Sequence, residues 1–401
     1  MAEKFLLKDH LFNPQKVEKI AAEIVAVYPR FNRDSFVSMT LSRFAALELK
    51  ARISWIATTL KHHLPDPFDK ACPILLQALP EPCNPALSDN NFGDFIYAPY
   101  SEFVAQNGCT AQHLDLSLEA LKAITTRFSA EDAIRTFINV FPDQTLARLL
   151  EWAHDAHYHV RRLASEGTRP KLPWAQKINI PPEKALPILD KLHADPTRFV
   201  TRSVANHLND ISKFNPELVL TTLQKWADLK HQHHKEIDYM TRHALRTLIK
   251  KGHAATLGYI GIYPPTQVTI ENFRVLTPHV EAGKSLLFEF SLVASEDVRV
   301  LVDYIVHFKN KSGGYNQKVY KLGTLSLKKG ESKPIQKHHP LKATMSTRTL
   351  YEGLHWIELQ LNGQKMNRNS FYLVSSREST GRLATPLENM HATNTVPVLE
   401  I

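Results

Sequence analysis

Hydrophobic and polar positions in the middle of the chain repeat with a long period. The stretch from Pro142 to Glu166 aligns without gaps on the stretch from Pro182 to Asn206, which lies 40 residues further along. In both stretches a proline opens a helical pattern, a short polar break follows, and a second helical pattern begins. Two helices in about 40 residues are typical of HEAT-like repeats. Such units bury little surface alone, so we expect neighbours to stack into a curved α-α superhelix.

The second helix of each unit combines an apolar stripe with polar positions that recur. The stripe is predicted to be core and comprises Val160, Leu163, Ala164, Val200, Val204 and Leu208. The recurring arginines are Arg162, Arg202 and Arg242, and one turn later stand Glu166, Asn206 and Arg246. A row of guanidinium groups on stacked repeats would follow a phosphate backbone. Ion pairs between neighbouring repeats are the alternative interpretation of the same row.

The period changes to two after Gly261. Apolar and polar residues alternate from Val298 to Phe308 and from Ile357 to Leu361, where Asn362-Gly363 gives a strong hairpin signal. About seven strands in ~110 residues predict an antiparallel sandwich of immunoglobulin type. The predicted fold is therefore mainly α, with a HEAT-like superhelix over residues 1–261, a small immunoglobulin-like β-sandwich over 262–374 and a flexible tail over 375–401.

Composition narrows the choice of partner and compartment. The formal net charge of +9 suits a polyanion, although a basic protein without such a partner has the same composition. Cys72, Cys83 and Cys109 show neither disulfide nor metal-ligand spacing, which favours a reducing, cytoplasmic location. The start of the chain does not resemble a signal peptide, and no apolar run approaches ~18 residues, so we expect no membrane contact. A monomer is expected.

Several long motifs carry a family resemblance. They are HVRRLASEGTRPKLPWA (159–175), SVANHLNDISK (203–213), RHALRTLIKKG (242–252), RFSAEDAIRTF (127–137) and LELKAR (47–52). Together with the β-domain they resemble the AlkC-type DNA glycosylases, in the branch that carries an immunoglobulin-like domain. The resemblance covers nearly all of residues 1–374.

The resemblance implies an activity in base-excision repair. The family hydrolyses the N-glycosidic bond of cationic alkylated bases in duplex DNA, chiefly 3-methyladenine and also 3-methylcytosine. It is related to the AlkD-like HEAT-repeat glycosylases, which are thought to act without moving the damaged nucleotide into a deep pocket. The β-domain is expected to contact the duplex as well. Non-catalytic alternatives are a HEAT-repeat scaffold and a protein that only recognises damaged DNA.

The chemistry requires one well-placed carboxylate. An N3-alkylated base is already positively charged and needs no general acid to leave, whereas the oxocarbenium-like sugar needs a carboxylate that also orients water. The resemblance makes Glu131 the first candidate, because its motif lies one repeat before the HVRRLASEG helix, where the AlkD-like relatives carry an acidic active-site residue; neighbouring Asp132 is an alternative. The structural alternative for Glu131 is a first-turn carboxylate that stabilises a helix predicted to begin at Ser129 as N-cap. Asp210 is the second candidate, with pairing to Arg202 or helix capping as its structural alternative. No metal or cofactor is expected, and His231, His233 and His234 are interpreted as solvated surface.

The remaining candidates are DNA contacts. Arg162 aligns with an active-site arginine of the AlkD-like relatives and is assigned to phosphate binding, with Glu166 as its ion-pair partner. Where those relatives have a tryptophan against the lesion, this chain has Asn206, so Trp174 is considered as an alternative aromatic face or as packing. The other predicted backbone contacts are Thr168, Arg169, Lys171, His243 and Arg246.

Overall fold

A computed structural model of the chain describes residues 6–86, 92–343 and 349–374. The chain folds into two compact units, Met1–Arg246 and Thr247–Ile401. The division lies within a helix, whereas the change from helices to strands comes later, between Tyr259 and Val268. The boundary at residue 261 stays a prediction, and the tail predicted over 375–401 lies outside the described residues.

Helices form the first unit and the start of the second. They are α1 (Leu7–Leu11), α2 (Pro14–Val27), α3 (Arg33–Leu41), α4 (Leu49–His63), α5 (Phe68–Gln77), α6 (Ala98–Gly108), α7 (Leu114–Thr125), α8 (Ile134–Val140), α9 (Pro142–Trp152), α10 (Tyr158–Glu166), α11 (Leu186–Leu192), α12 (Arg198–Ile211), α13 (Pro216–Leu229), α14 (His234–Lys250) and α15 (Ala254–Tyr259). None of the described helices is both long and apolar enough to cross a membrane.

The 40-residue period corresponds to helix pairs. Pro142 opens α9, Pro182 opens the 3₁₀ turn before α11, and Pro216 opens α13 behind the capping side chain of Asn215. The predicted stripe on α10 and α12 is fully buried, which confirms it as core. These helices pack against each other, so equivalent positions of successive units lie side by side. The superhelical curvature stays a prediction.

One predicted helix start is wrong. Residues 131–133 form a turn, and α8 begins only at Ile134. Ser129 does not cap the helix: its hydroxyl oxygen accepts a hydrogen bond from Arg162 Nη1 at 2.8 Å, and its hydroxyl hydrogen is donated to the Glu131 carboxylate. The side chains expected to start a helix are therefore used in tertiary contacts.

The second unit contains an immunoglobulin-like arrangement of two sheets. Its strands are β1 (Val268–Val275), β2 (His279–Glu281), β3 (Ser285–Ala294), β4 (Val298–Lys309), β5 (Tyr315–Leu327), β6 (Ser332–Pro340), β7 (Gly353–Leu361) and β8 (Gln364–Val374). The sheet orders are β1-β3-β6 and β2-β8-β7-β4-β5. Asn362 and Gly363 join β7 to β8 with positive φ at both residues, which confirms the hairpin signal.

Candidate active site

An unbroken series of ion pairs crosses the helical unit. It connects the turn before α8, helix α10, the loop after α10 and the end of α12. Its members, in order, are Glu131, Arg162, Glu166, Arg169, Asp210 and Lys213. Carboxylates and cations alternate throughout, so each internal charge is neutralised on both sides.

Arg162 connects the first two carboxylates. Its Nη1 donates to Glu131 Oε2 at 2.8 Å, and its Nη2 lies 3.7 Å from Glu166 Oε1. Burial alone would lower the pKa of the Arg162 guanidinium, but the two carboxylates more than offset burial and raise it. Arg162 is therefore a permanent cation whose charge is balanced inside the protein by two carboxylates.

Arg169 joins the second and third carboxylates. Its Nη1 donates to Glu166 Oε1 at 2.5 Å, and its Nη2 lies 3.0 Å from Asp210 Oδ2. Burial opposes ionisation of Glu166, but Arg162, Arg169 and a hydrogen bond from Ser203 lower its pKa below the usual value. Glu166 is consequently a buried anion.

Exposure separates the three carboxylates. The side chain of Glu131 is 28% exposed, whereas those of Glu166 and Asp210 are 6% and 2% exposed. Both oxygens of Asp210 are already acceptors, one for Arg169 and the other for Lys213. Among these three, Glu131 is the carboxylate that a substrate can reach.

Glu131 lies on the wall of a cavity of about 260 Å³. Two aromatic rings pack against the arginine that binds Glu131. The Arg162 guanidinium lies 5.1 Å from the Phe92 ring centroid and 4.6 Å from that of Phe199. The lining residues are Phe92, Glu131, Arg162, Glu166, Arg169, Leu172, Pro173, Phe199, Arg202, Ser203 and Asn206. A concave surface with aromatic walls and one accessible carboxylate suits a flat, positively charged ligand.

Comparison with known proteins identifies the family. A model described as "DNA alkylation repair enzyme" matches residues 106–251, and one described as "Uncharacterised protein YhaZ, C-terminal Ig-like domain" matches residues 269–375. The YhaZ protein of Bacillus subtilis (strain 168) is 31% identical over 358 residues, which are 88% of this chain and 96% of YhaZ.

A solved structure matches over almost the whole length. The alkylpurine DNA glycosylase AlkC of Pseudomonas fluorescens, bound to DNA containing an abasic site analogue, is 32% identical. The match covers 92% of this chain and 100% of AlkC, with a TM-score of 0.83. This chain belongs to the AlkC-type DNA glycosylase family. It carries the C-terminal immunoglobulin-like domain of that type.

The arginine row predicted from the repeat shows a gradient of exposure. Arg162 is buried in ion pairs, Arg202 is half-buried and Arg242 is exposed. For Arg162 the geometry supports the alternative of ion pairs between neighbouring repeats. Contact of these three arginines with phosphate stays a prediction. Arg242 is the most accessible of the three.

Asn206 forms a cluster with two other predicted DNA contacts. Its Oδ1 accepts hydrogen bonds from His243 Nε2 at 2.8 Å and from Arg246 Nη2 at 3.0 Å. Burial and the nearby Arg246 lower the pKa of His243 to about 4, so the imidazole is neutral at neutral pH. The tautomer with hydrogen on Nε2 follows, because Asn206 Oδ1 is an acceptor.

Of the DNA-backbone contacts predicted at Thr168, Arg169 and Lys171, the first two are buried side chains. The Thr168 hydroxyl donates to the carbonyl of Ala164 at 2.8 Å and therefore closes the end of α10. Arg169 is occupied by carboxylates, as described above. Lys171 alone of the three predicted side chains is exposed, with its ammonium 4.8 Å from the Phe214 ring centroid.

Trp174 is exposed at the surface. Its side chain is 84% exposed, and its backbone has a φ of 63°. An exposed, non-glycine residue in the left-handed region is uncommon and points to a functional constraint. The backbone is held by Lys50, whose Nζ donates to the Trp174 carbonyl at 2.6 Å. Trp174 and Asp132 line a second cavity of about 730 Å³ that shares Glu131, Leu172 and Pro173 with the first.

Sequence reasoning missed several residues of the site. Arg169, rather than Arg202, is the partner of Asp210, because the loop after α10 places Arg169 beside the end of α12. Ser203 and Phe199 were missed, although the spacing Phe199, Arg202, Ser203, Asn206 places all four on one face of α12. Phe92 follows a stretch without helical or strand periodicity and offered no signal. In the part of the chain that the structure describes, no group of three or more His, Cys, Asp or Glu residues is arranged to hold a metal ion.

Proposed function

We propose that the chain is a monofunctional DNA glycosylase that hydrolyses the N-glycosidic bond of cationic alkylated bases in duplex DNA. The proposed substrates are 3-methyladenine and 3-methylcytosine, as the family resemblance implies. The observation that carries the proposal is the Glu131 carboxylate, which is 28% exposed, lines both cavities and accepts a hydrogen bond from Arg162 at 2.8 Å. The family relative AlkC, solved with DNA containing an abasic site analogue, supports DNA as the partner.

The proposed reaction depends mainly on electrostatic stabilisation of the charge that develops on the sugar. The C1′–N bond breaks with its electron pair going to the alkylated base, which leaves neutral because it began as a cation. Positive charge develops on the sugar, and the Glu131 carboxylate stabilises it. Water adds to C1′ on the face of Glu131 and loses a proton to that carboxylate or to solvent. This chemistry is compatible with a base that stays near the helical stack.

Arg162 has a supporting role in this proposal. Its hydrogen bond to Glu131 fixes the carboxylate, and the Ser129 hydroxyl donates to the same oxygen. The buried Glu166 balances the charge of Arg162 from the other side. A carboxylate oriented before the substrate arrives needs little reorganisation as positive charge develops. The proposed superhelix would bring this group to the DNA backbone.

Base release from methylated duplex DNA tests the proposal. The wild-type chain is expected to liberate 3-methyladenine, and Glu131→Gln is expected to slow release by about 10²–10³-fold, the usual effect of losing one stabilising group. Glu217→Gln, which alters an exposed carboxylate on α13, is the matched control and should keep the wild-type rate.

Asp210→Asn separates the two carboxylate candidates. It breaks a buried ion pair with Arg169, so stability should fall by about 3–5 kcal/mol. In the fraction that remains folded, base release should exceed that of Glu131→Gln. A full rate in Glu131→Gln together with no release by folded Asp210→Asn would reverse the assignment. Binding to methylated duplex without any release by the wild-type chain would favour a damage-recognition protein.

A further inference from the structure

The segment 167–179 lies between α10 and the 3₁₀ turn before α11 and contains neither helix nor strand. It carries Arg169, the wall residues Leu172 and Pro173, and the exposed Trp174. Long irregular segments inside a compact unit need side-chain partners for their backbone groups, because no regular ladder satisfies them. The position of this segment therefore depends on what binds its backbone.

Arg135, on α8, binds both ends of the segment. Its Nη1 donates to the carbonyl of Gly167 at 3.0 Å and to that of Arg169 at 2.8 Å. Its Nε donates to the carbonyl of Gln176 at 2.5 Å. Arg135 is only 1% exposed, and burial lowers the pKa of its guanidinium. A planar guanidinium presents several donors at fixed angles, so three carbonyls are held in one arrangement.

Two further residues of α8 extend this attachment. Thr136 Oγ1 accepts a hydrogen bond from Gln176 Nε2 at 2.7 Å. Asn139 donates to the carbonyl of Lys177 and accepts from the backbone N–H of Asn179, each at 2.9 Å. Arg135, Thr136 and Asn139 follow a helical spacing and so share one face of α8.

The same element also follows Glu131 directly. Glu131 lies in the turn that leads into α8, so the catalytic carboxylate and the anchor of the segment belong to one short stretch of chain. A displacement of the segment would move Leu172 and Pro173, which line the same cavity as Glu131, and Arg169, which donates to Glu166. Misplacement of catalytic surroundings by about 1 Å can cost about 10²-fold in rate.

We infer that Arg135 is a positioning residue, which orders the segment 167–179 so that Arg169, Leu172, Pro173 and Trp174 form one side of the active site. This inference rests on the proposed glycosylase function. Arg135 acts through the segment's backbone and is not itself a catalytic residue.

Arg135→Lys tests the inference, because it keeps the charge but loses the planar set of donors. We expect trypsin to cleave folded Arg135→Lys faster than wild type after Lys171 and Lys177. We also expect single-turnover release of 3-methyladenine from methylated duplex to fall by about 10²-fold, measured below the unfolding temperature of the variant.

Arg52→Lys is the matched control. Arg52, on α4, is also buried and also donates to backbone carbonyls, those of Lys8, Phe12 and Phe44 among them, but it does not contact the segment. It should lower the unfolding temperature without changing the release rate or the cleavage of the segment. A wild-type rate in Arg135→Lys, or an equal loss in Arg52→Lys, would overturn the positioning role.

Asn139→Ala provides a second variant in case Arg135→Lys does not fold. It removes two hydrogen bonds to the segment without exposing a buried charge. Faster cleavage after Lys177 with a smaller loss of rate is expected, and unchanged cleavage would contradict the inference. If the wild-type chain releases no base, the proposed function fails, whereas the trypsin comparison still decides whether α8 orders the segment.

Discussion

His207 is a buried histidine on α12, and its Nδ1–H donates to the Ser165 carbonyl at 3.1 Å. Burial lowers its pKa from the ordinary 6.5 to about 4. Between these two values the unfolded chain binds a proton that the folded chain does not bind. Stability therefore rises with pH across this window and is lost as the pH falls below about 6.5.

His207→Gln should make the stability of the chain less sensitive to acid. Because glutamine does not titrate, we expect the wild type to lose about 2 kcal/mol more than the variant when the pH falls from about 7 to about 5. Denaturant unfolding at both pH values measures the difference. His62→Gln, at an exposed position of α4, should retain the wild-type dependence. Parallel curves for wild type and His207→Gln would contradict this prediction.

At the scale of elements, α8 and the end of α10 approach unusually closely. A Cβ added at Gly167 would lie 2.5 Å from Ile134 Cγ2 and 3.0 Å from the carbonyl oxygen of Leu163. Gly167 has an ordinary helical φ of −63°, so space rather than backbone conformation requires glycine here. This contact sets the start of the segment that Arg135 holds.

Gly167→Ala is expected to destabilise the chain by about 1–3 kcal/mol, because α8 has to move away from α10. Gly258→Ala, in α15, is the matched control, since an added Cβ there has nothing within 4 Å. That control should be neutral or more stable by up to about 1 kcal/mol, as alanine favours helix. Urea unfolding followed by circular dichroism measures both. Equal stability of Gly167→Ala and wild type would show that the contact relaxes at no cost.

For the whole molecule, the net charge of +9 predicts an electrostatic component in DNA binding. Binding through phosphates releases counterions, so affinity falls as salt rises. The cations differ in how available they are: Arg242 is exposed, whereas Arg148 is paired with three carboxylates, those of Asp115, Glu119 and Glu151. Net charge alone does not distinguish them.

Salt titration of duplex binding tests this distinction. If about six phosphates are contacted, the affinity should fall roughly 10³-fold between about 50 and about 200 mM salt. Arg242→Gln should reduce the slope by about one ion, and Arg148→Gln should leave it unchanged. An affinity that does not depend on salt would remove the argument from charge. Equal slopes in Arg242→Gln and wild type would remove Arg242 from the interface.

The sequence predicted the parts of the fold that depend on local periodicity. The stripe of Val160, Leu163 and Val200 is core, and Asn362-Gly363 forms the hairpin, because these patterns are set by helix and strand geometry within a few residues. The motifs also identified the family, since they are long and free of gaps. The same resemblance identified Glu131 as a candidate, and Arg162 was indicated both by the resemblance and by the 40-residue repeat.

What only the tertiary structure decided is how side chains from distant elements are paired. The predicted partner of Asp210 was Arg202, whereas the loop after α10 places Arg169 beside it. Helix α8 begins at Ile134 rather than at the predicted Ser129, because Ser129 and Glu131 form tertiary contacts instead of a local helix cap. Arg135 has no sequence signal of its own, since its three carbonyl partners lie 32–41 residues away. Periodicity reports which face of an element is apolar, whereas the partner of a buried charge depends on which chain segments meet there.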